Sequence, residues 1–163
     1  MAVGSMMDKE TRYEIRWASE QEWDDVITFV WKAFLQSEGK KCTEEGRNSF
    51  YRFIADQELR DAFYKGDYPV LIATIRNTIT GVAAIRYRNH LSLLFVDAEH
   101  YRQGIGRALM TAAIQYVRGI GERYMSLQAV TDAVNFYRKI GFRSIRPEEE
   151  FAGIRITRME RFF

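Results

Sequence analysis

The stretch LSLLFVDAEHYRQGIGRALM, residues 91–110, limits the possible folds of this chain more than any other. Six apolar-rich residues are followed by a seven-residue polar connection and then by a run of helix formers. The pattern predicts a strand, a short loop and a helix whose front carries Gly104 and Gly106. Glycine inside a helix costs about 1 kcal/mol relative to alanine. Two glycines at this point imply a tight turn, close packing, or a ligand pressed against bare backbone. The third option has a physical basis. The first amides of a helix lack intrahelical partners, and the macrodipole places partial positive charge beside them. An anionic group such as a phosphate suits that end. Two familiar phosphate motifs do not fit. The dinucleotide fingerprint G-x-G-x-x-G requires glycine where Leu109 stands, and the P-loop requires Lys and Ser/Thr where Arg107 and Ala108 follow Gly106.

The rest of the chain predicts the surroundings of this unit. Tyr13 to Trp17 alternates like a strand, and Ser19 with Glu22 forms a capping box that opens a helix reaching Gln36. Trp23, Val26, Ile27, Val30 and Phe34 make its inner face. SEGKKC reads as a loop. Thr43 caps a second helix through Ile54, with Phe50, Phe53 and Ile54 inward, and a short helical piece near Leu59–Tyr64 ends at Gly66. Three strand-like runs follow: 69–75, 82–88 and 91–96. RNTITG up to Gly81 is read as the first turn, and Asn89 with His90 as the second, giving an antiparallel meander. The helix from Gly104 to Arg118 turns Ile105, Leu109, Ala113 and Tyr116 or Val117 inward. A strand at 124–129 follows, then a helix over 132–140 stopped by Gly141, and two closing strands around the loop RPEEEFAG. The expected fold class is α+β: one domain with a central mixed, mostly antiparallel twisted sheet of about seven strands, flanked by about four helices. Residues 1–10 are set aside as a disordered tail or a cloning scar, with the domain at 11–163.

Composition narrows the function. The 163 residues are 47% hydrophobic and 28% charged, which supports a packed core. No apolar run reaches the roughly 18 to 20 residues of a membrane helix, and no secretory signal is visible, so the expectation is a cytoplasmic protein without membrane attachment. Cys42 is the only cysteine, so an intrachain disulfide is impossible. Residues 1–100 carry a net −3, whereas residues 101–163 carry 11 basic and 6 acidic side chains, a net +5. The C-terminal half is therefore the expected seat of an anion. Its arginines are scattered rather than clustered, which argues against a nucleic-acid partner.

The stretch LSLLFVDAEHYRQGIGRALM resembles motif A of the GNAT N-acetyltransferase superfamily: a strand, a loop, then [Q/R]-x-x-G-x-[G/A] opening a helix. LQAVTDAVNFYRKIGFR resembles the second signature of that family, a strand followed by A-x-x-F-Y-x-x-x-G-F, here Ala133, Phe136, Tyr137, Gly141 and Phe142. Both signatures stand in the right order and at the right spacing, and the element order matches from Tyr13 to Phe163. One position departs: Tyr101 stands where the family has Gln or Arg, and Arg102 comes one place later.

The resemblance implies acetyl-CoA as co-substrate and no metal. It implies that the pyrophosphate lies on the amides of Gln103, Gly104, Ile105, Gly106, Arg107 and Ala108, with Arg102 and Arg107 adding charge. The pantetheine arm pairs with Leu94, Phe95 and Val96, and Asn135 touches the cofactor. Val96 or its neighbour polarises the thioester carbonyl through its N–H, and Tyr137 is the general acid on sulfur. The implied activity is acetyl transfer to a primary amine of a small molecule or peptide by direct attack; the alternative is a non-catalytic acyl-CoA-binding or regulatory module. The base is left open between His90, water and another group, with water-mediated deprotonation the default and Ser92 able to position a water. Glu22, Asp24 and Asp25 are acids on the helix expected to help form the acceptor site. A homodimer through the C-terminal strands fits the apolar terminus RFF.

Overall fold

In the computed structural model the described residues are 2–7 and 12–163, with side chains from Tyr13 onward. Their strands are β1 (Ala2–Met7), β2 (Arg12–Trp17), β3 (Val70–Ile75), β4 (Thr78–Arg86), β5 (His90–Val96), β6 (Tyr124–Val130), β7 (Arg143–Ser144), β8 (Glu149–Phe151) and β9 (Ile154–Phe162). The helices are α1 (Trp23–Gln36), α2 (Glu44–Ile54), α3 (Gln57–Lys65), α4 (Ile105–Gly119) and α5 (Val134–Lys139). One sheet runs β1-β2-β3-β4-β5-β6-β9-β7, with β8 on β9. Every neighbouring pair is antiparallel except β5 and β6. The α+β class and the meander are as expected. The two strands beyond the expected seven are β1 and β8. Ala2–Met7, set aside in the sequence reading, pairs with β2. The expected loop RPEEEFAG folds back as a hairpin on β9 because Ala152 and Gly153 both take positive φ, 50° and 83°.

Local signals account for most boundaries. The Ser19 and Glu22 capping box is formed, one 3-10 turn ahead of α1. Thr43 accepts from the Gly46 amide at 3.1 Å, and Gly66 at φ 85° closes α3. Gly141, at φ 100°, follows the last turn of α5. Two turn readings are corrected. The first turn is only Arg76–Asn77, at φ 51° and 64°, so β4 begins at Thr78. That geometry is the left-handed hairpin turn that matches strand twist. Gly81 therefore lies inside β4. A Cβ there would sit 2.9 Å from Leu109 Cδ1 and 3.0 Å from Ile105 Cγ2, so this glycine admits α4 to the sheet. The second turn is Tyr87–Asn89, and His90 already belongs to β5.

Two cores sandwich the sheet. On one face α4 buries Ile105, Leu109, Ala113 and Val117 against Leu71, Ala73, Ala83 and Ile85. On the other, α1 buries Val26, Val30 and Phe34 against Val70, Ile72, Val82 and Ala84, with Phe50 of α2 stacked on Phe34 at 4.2 Å. Each large, fully buried apolar side chain contributes about 1.5–3 kcal/mol.

The strand β5 changes faces. Leu91 packs in the α4 core, yet Leu93 and Phe95 pack in the α1 core. A strand of strict period two would keep all three together. The register explains the switch: Ala84 opposes Leu93 while Ile85 opposes Leu91, so Ser92 is an extra, bulged residue.

Candidate active site

The bulge coincides with a break between β5 and β6. These parallel strands pair only at His90 with Ser126 and Leu91 with Leu127, then diverge. Beyond Leu91 the edge of β5 that faced β6 has no ladder partner among the described residues. The ladder on its other edge shows which backbone groups point into the gap. Asp97 donates its amide to Thr80 O at 2.8 Å, on the β4 side. Antiparallel pairing alternates along a strand. The amides and carbonyls of Phe95 and Leu93 therefore face β4, and those of Leu94 and Val96 face the gap.

A cavity of about 80 Å³ fills the opening. Leu91 to Phe95 of β5 and Leu127, Gln128 and Val130 of β6 form its sides. Tyr137 and Ala133 close it on the α4 face, and Glu38 and Phe50 on the α1 face. The gap is thus a passage through the sheet between the two cores.

Its far end meets the glycines. Gly104 caps α4 with φ 83°, a conformation that suits glycine, so the tight-turn option accounts for it. Gly106 is different. A Cβ there would meet Phe136 Cζ at 3.6 Å and Val96 Cγ2 at 3.7 Å, ordinary contact distances. Packing within the chain does not require glycine at 106. Ala108 donates to Gly104 O at 2.9 Å, leaving the amides of Ile105, Gly106 and Arg107 outside the hydrogen bonding of the helix. Arg102, at φ 66°, Arg107 and Tyr101 are exposed around this end, and Gln103 Oε1 is buried without a partner.

Tyr137 is 7% exposed, wedged edge-on between Phe136 and Phe142 at 5.2 and 5.9 Å. Its hydroxyl makes no hydrogen bond among the described residues, and burial raises its pKa, with the nearby Glu38 charge adding to the shift. Asn135 is exposed on α5. The sequence-derived set is thus brought together along one line: Arg102 to Ala108 at one end, Leu94 to Val96 along the gap, Tyr137 at the cavity. Val96 sits beside Gly106, whereas Leu94 lies in the cavity wall.

The acids and bases proposed from sequence are placed elsewhere. His90 lies at the closed end of the gap, its Nδ1 2.8 Å from Ser126 Oγ. Burial lowers its pKa, with Arg86 and Arg158 acting in the same direction. Ser92 does line the cavity, 2.9 Å from the Tyr68 hydroxyl. Glu22 is held by Arg16 through two contacts of 2.7 and 2.8 Å, which lowers its carboxyl to about 2. Asp24 and Asp25 are exposed on the first turn of α1. The carboxyl in the cavity is Glu38, from the stretch read only as a loop. Burial raises it to about 7. No local signal marks it, since it is one acid in a polar connection. Among the described residues no three His, Cys, Asp or Glu side chains are grouped to hold a metal ion.

A family profile described as the acetyltransferase (GNAT) domain matches residues 38–162, most of the chain. The chain belongs to the GNAT acetyltransferase family. Human N-acetyltransferase 8 is 27% identical to this GNAT protein over 128 residues, 77% of the chain. The chain spans about half (52%) the length of that curated relative. A GCN5-related N-acetyltransferase structure from Rhodopseudomonas palustris superposes with a TM-score of 0.77 at 18% identity, covering 98% of this chain and 100% of that one. The PaiA N-acetyltransferase of Thermoplasma acidophilum, solved with coenzyme A, superposes with a TM-score of 0.75 at 20% identity, covering 93% and 99%. These structures share the GNAT fold seen here.

Proposed function

We propose that this chain transfers the acetyl group of acetyl-CoA to a primary amine. The observation that carries the reading is the passage itself: one end holds free helix amides beside Gly106, its edge is the unpaired backbone of Leu94 and Val96, and its centre is closed by Tyr137.

The residues fit the cofactor. The amides of Ile105, Gly106 and Arg107 receive the pyrophosphate, with the Gln103–Gly104 turn completing the cradle and Arg102, Arg107 and Asn135 at its rim. Ala108 contributes through its place in the first turn, since its amide is already engaged. Leu94 and Val96 pair with the amide-rich pantetheine arm as with an added strand, and Phe95 turns its side chain away into the α1 core. Acetyl-CoA supplies an acyl group on a good leaving thiolate. Leu94, rather than Val96, polarises the acyl carbonyl through its N–H, because it is the gap-facing amide in the cavity wall. Tyr137 donates its proton to the departing sulfur. Its raised pKa keeps it protonated throughout the physiological range. That retained acid favours transfer over a non-catalytic acyl-CoA-binding module. No helix among the described residues is long and apolar enough to cross a membrane. The single cysteine is consistent with the cytoplasmic placement we propose. Exposed Phe162 and Phe163 support pairing of two copies at the C-terminal strands.

Isothermal titration with acetyl-CoA tests the reading. Micromolar binding that is abolished by Gly106→Glu is the expected result. No binding by the unaltered chain overturns it.

A further inference from the structure

Glu38 has no role in the cradle, and its position is costly. It lies on the 3-10 turn Glu38–Lys40 between α1 and α2, across the cavity from Tyr137. Its carboxylate has no hydrogen-bond or ion-pair partner among the described residues. A half-buried, desolvated carboxylate without a partner is penalised unless a ligand supplies the missing charge.

The surrounding cations are engaged or lie elsewhere. Arg47 of α2 donates its Nη1 to Gly39 O and Cys42 O at 3.0 Å each. Lys41 pairs with Asp132, ahead of α5. Lys40 is exposed and lines a separate groove between α1 and α2. From the sheet and α5 the groups facing Glu38 are Ser92, Gln128 and Tyr137, and only Tyr137 titrates. Burial is the cause of the raised carboxyl; no neighbouring carboxylate accounts for it. The loop itself is tied at two points to the β6–β9 side of the gap: by Lys41 to Asp132, and by Thr43 Oγ1 to Gly153 O at 3.1 Å in the β8–β9 turn. The carboxyl is therefore held in place over the opening. The walls beside it are aromatic, Phe50 and Phe95, which stand 5.7 Å apart.

We propose that Glu38 receives the acceptor amine and is its general base, and that the acceptor is a primary amine on an apolar body with no second charge near the nitrogen. This rests on the acetyl-transfer reading above. The amine arrives as an ammonium and pairs with the Glu38 carboxylate. It gives one proton to Glu38, which later releases it to solvent. The freed lone pair forms the C–N bond at the acyl carbon while the C–S bond breaks. The sulfur takes the Tyr137 proton, and the phenolate takes the surplus proton of the new amide nitrogen. One proton is released in total. The aromatic walls select an apolar body, and the absence of a second acid in the cavity disfavours polycations.

The test uses the full chain with acetyl-CoA and three probe amines: 2-phenylethylamine, tryptamine and hexylamine, with spermidine as the polycationic contrast. Thiol release is followed from pH 5.5 to 9, and binding of 2-phenylethylamine to the coenzyme A-loaded chain is measured by calorimetry. The expected result is turnover of the apolar amines in preference to spermidine, with kcat/KM falling about tenfold per unit below pH 7. Glu38→Gln is expected to lower kcat/KM by on the order of 10²–10⁴-fold and to remove that limb. It is also expected to weaken amine binding and to leave acetyl-CoA affinity unchanged. A Glu38→Gln protein with an unaltered profile overturns the base assignment. Absence of turnover with all three apolar amines, while acetyl-CoA still binds, overturns the acceptor class. Failure of the unaltered chain to bind acetyl-CoA overturns instead the reading on which the proposal rests.

Discussion

Gly106→Ala is expected to make the protein more stable and worse at binding acetyl-CoA. The methyl group meets only Phe136 and Val96, at 3.6 Å or beyond, so no atom has to move. Residue 106 lies inside α4 and its φ is not positive. Alanine in a helix is favoured over glycine by about 0.5–1 kcal/mol. For a chain of this size that raises Tm by about 1–4 °C. The same methyl group sits beside an amide proposed to hold pyrophosphate. Losing one charge-assisted hydrogen bond costs about 1.5–3 kcal/mol, roughly a 10- to 150-fold rise in Kd. Thermal unfolding and calorimetric titration on the same preparation read both signs. A lower Tm would mean that glycine serves packing at this position. A higher Tm with unchanged acetyl-CoA affinity would refute the phosphate cradle.

Gly81→Ala is the contrasting case: its Cβ collides with Leu109 and Ile105, so stability should fall by about 1–3 kcal/mol in urea unfolding, with acetyl-CoA affinity unchanged. Glu22→Gln removes the Arg16 pair. The folded pKa of Glu22, about 2, lies below its ordinary value of 4.5, so its contribution is present above pH 4.5 and is lost as pH falls toward 2. The variant should be less stable by about 1–2 kcal/mol at pH 7, allowing for solvent screening, and the difference should close between pH 4.5 and 2 in denaturant titrations. Glu38 has the opposite sign. Its folded pKa, about 7, lies above 4.5, so its burial destabilises the fold as pH rises through that window; Glu38→Gln should match the unaltered protein at pH 4 and exceed it by about 1–2 kcal/mol at pH 8. Tyr137→Phe removes a hydroxyl without a hydrogen-bond partner among the described residues, so Tm should stay within about 2 °C while kcat falls by on the order of 10²-fold in a thiol-release assay.

The elements that the sequence revealed share one property: their signals act over a few residues. The box at Ser19 and Glu22, the Thr43 cap, and Gly66 and Gly141 are satisfied by backbone groups within one turn. The strand–loop–helix unit at 91–110 was legible because the apolar run, the polar connection and the glycines are contiguous. Turns were harder. Arg76 and Asn77 adopt the left-handed conformation unaided by glycine, and Gly81 drew the boundary four residues too far. Its real partner, Leu109, is on another element and leaves no trace near position 81.

The sequence alone determined the order of the helices and of every strand except β1 and β8, the helix ends, the inner faces of α1 and α4, and the strand–glycine–helix unit together with Tyr137. The fold settled the rest. The Ser92 bulge appears only when Ala84 and Ile85 take their places opposite β5, and the passage only when β6 diverges from it. Gly106 is distinguished from Gly104 only by what stands near its missing Cβ. Glu38 and Tyr137 are about a hundred residues apart in the chain and meet only through the sheet. Helices and caps follow from hydrogen bonds between near neighbours, which local sequence encodes. A cavity depends on register and strand divergence summed over the whole sheet, and no single stretch of sequence carries that sum.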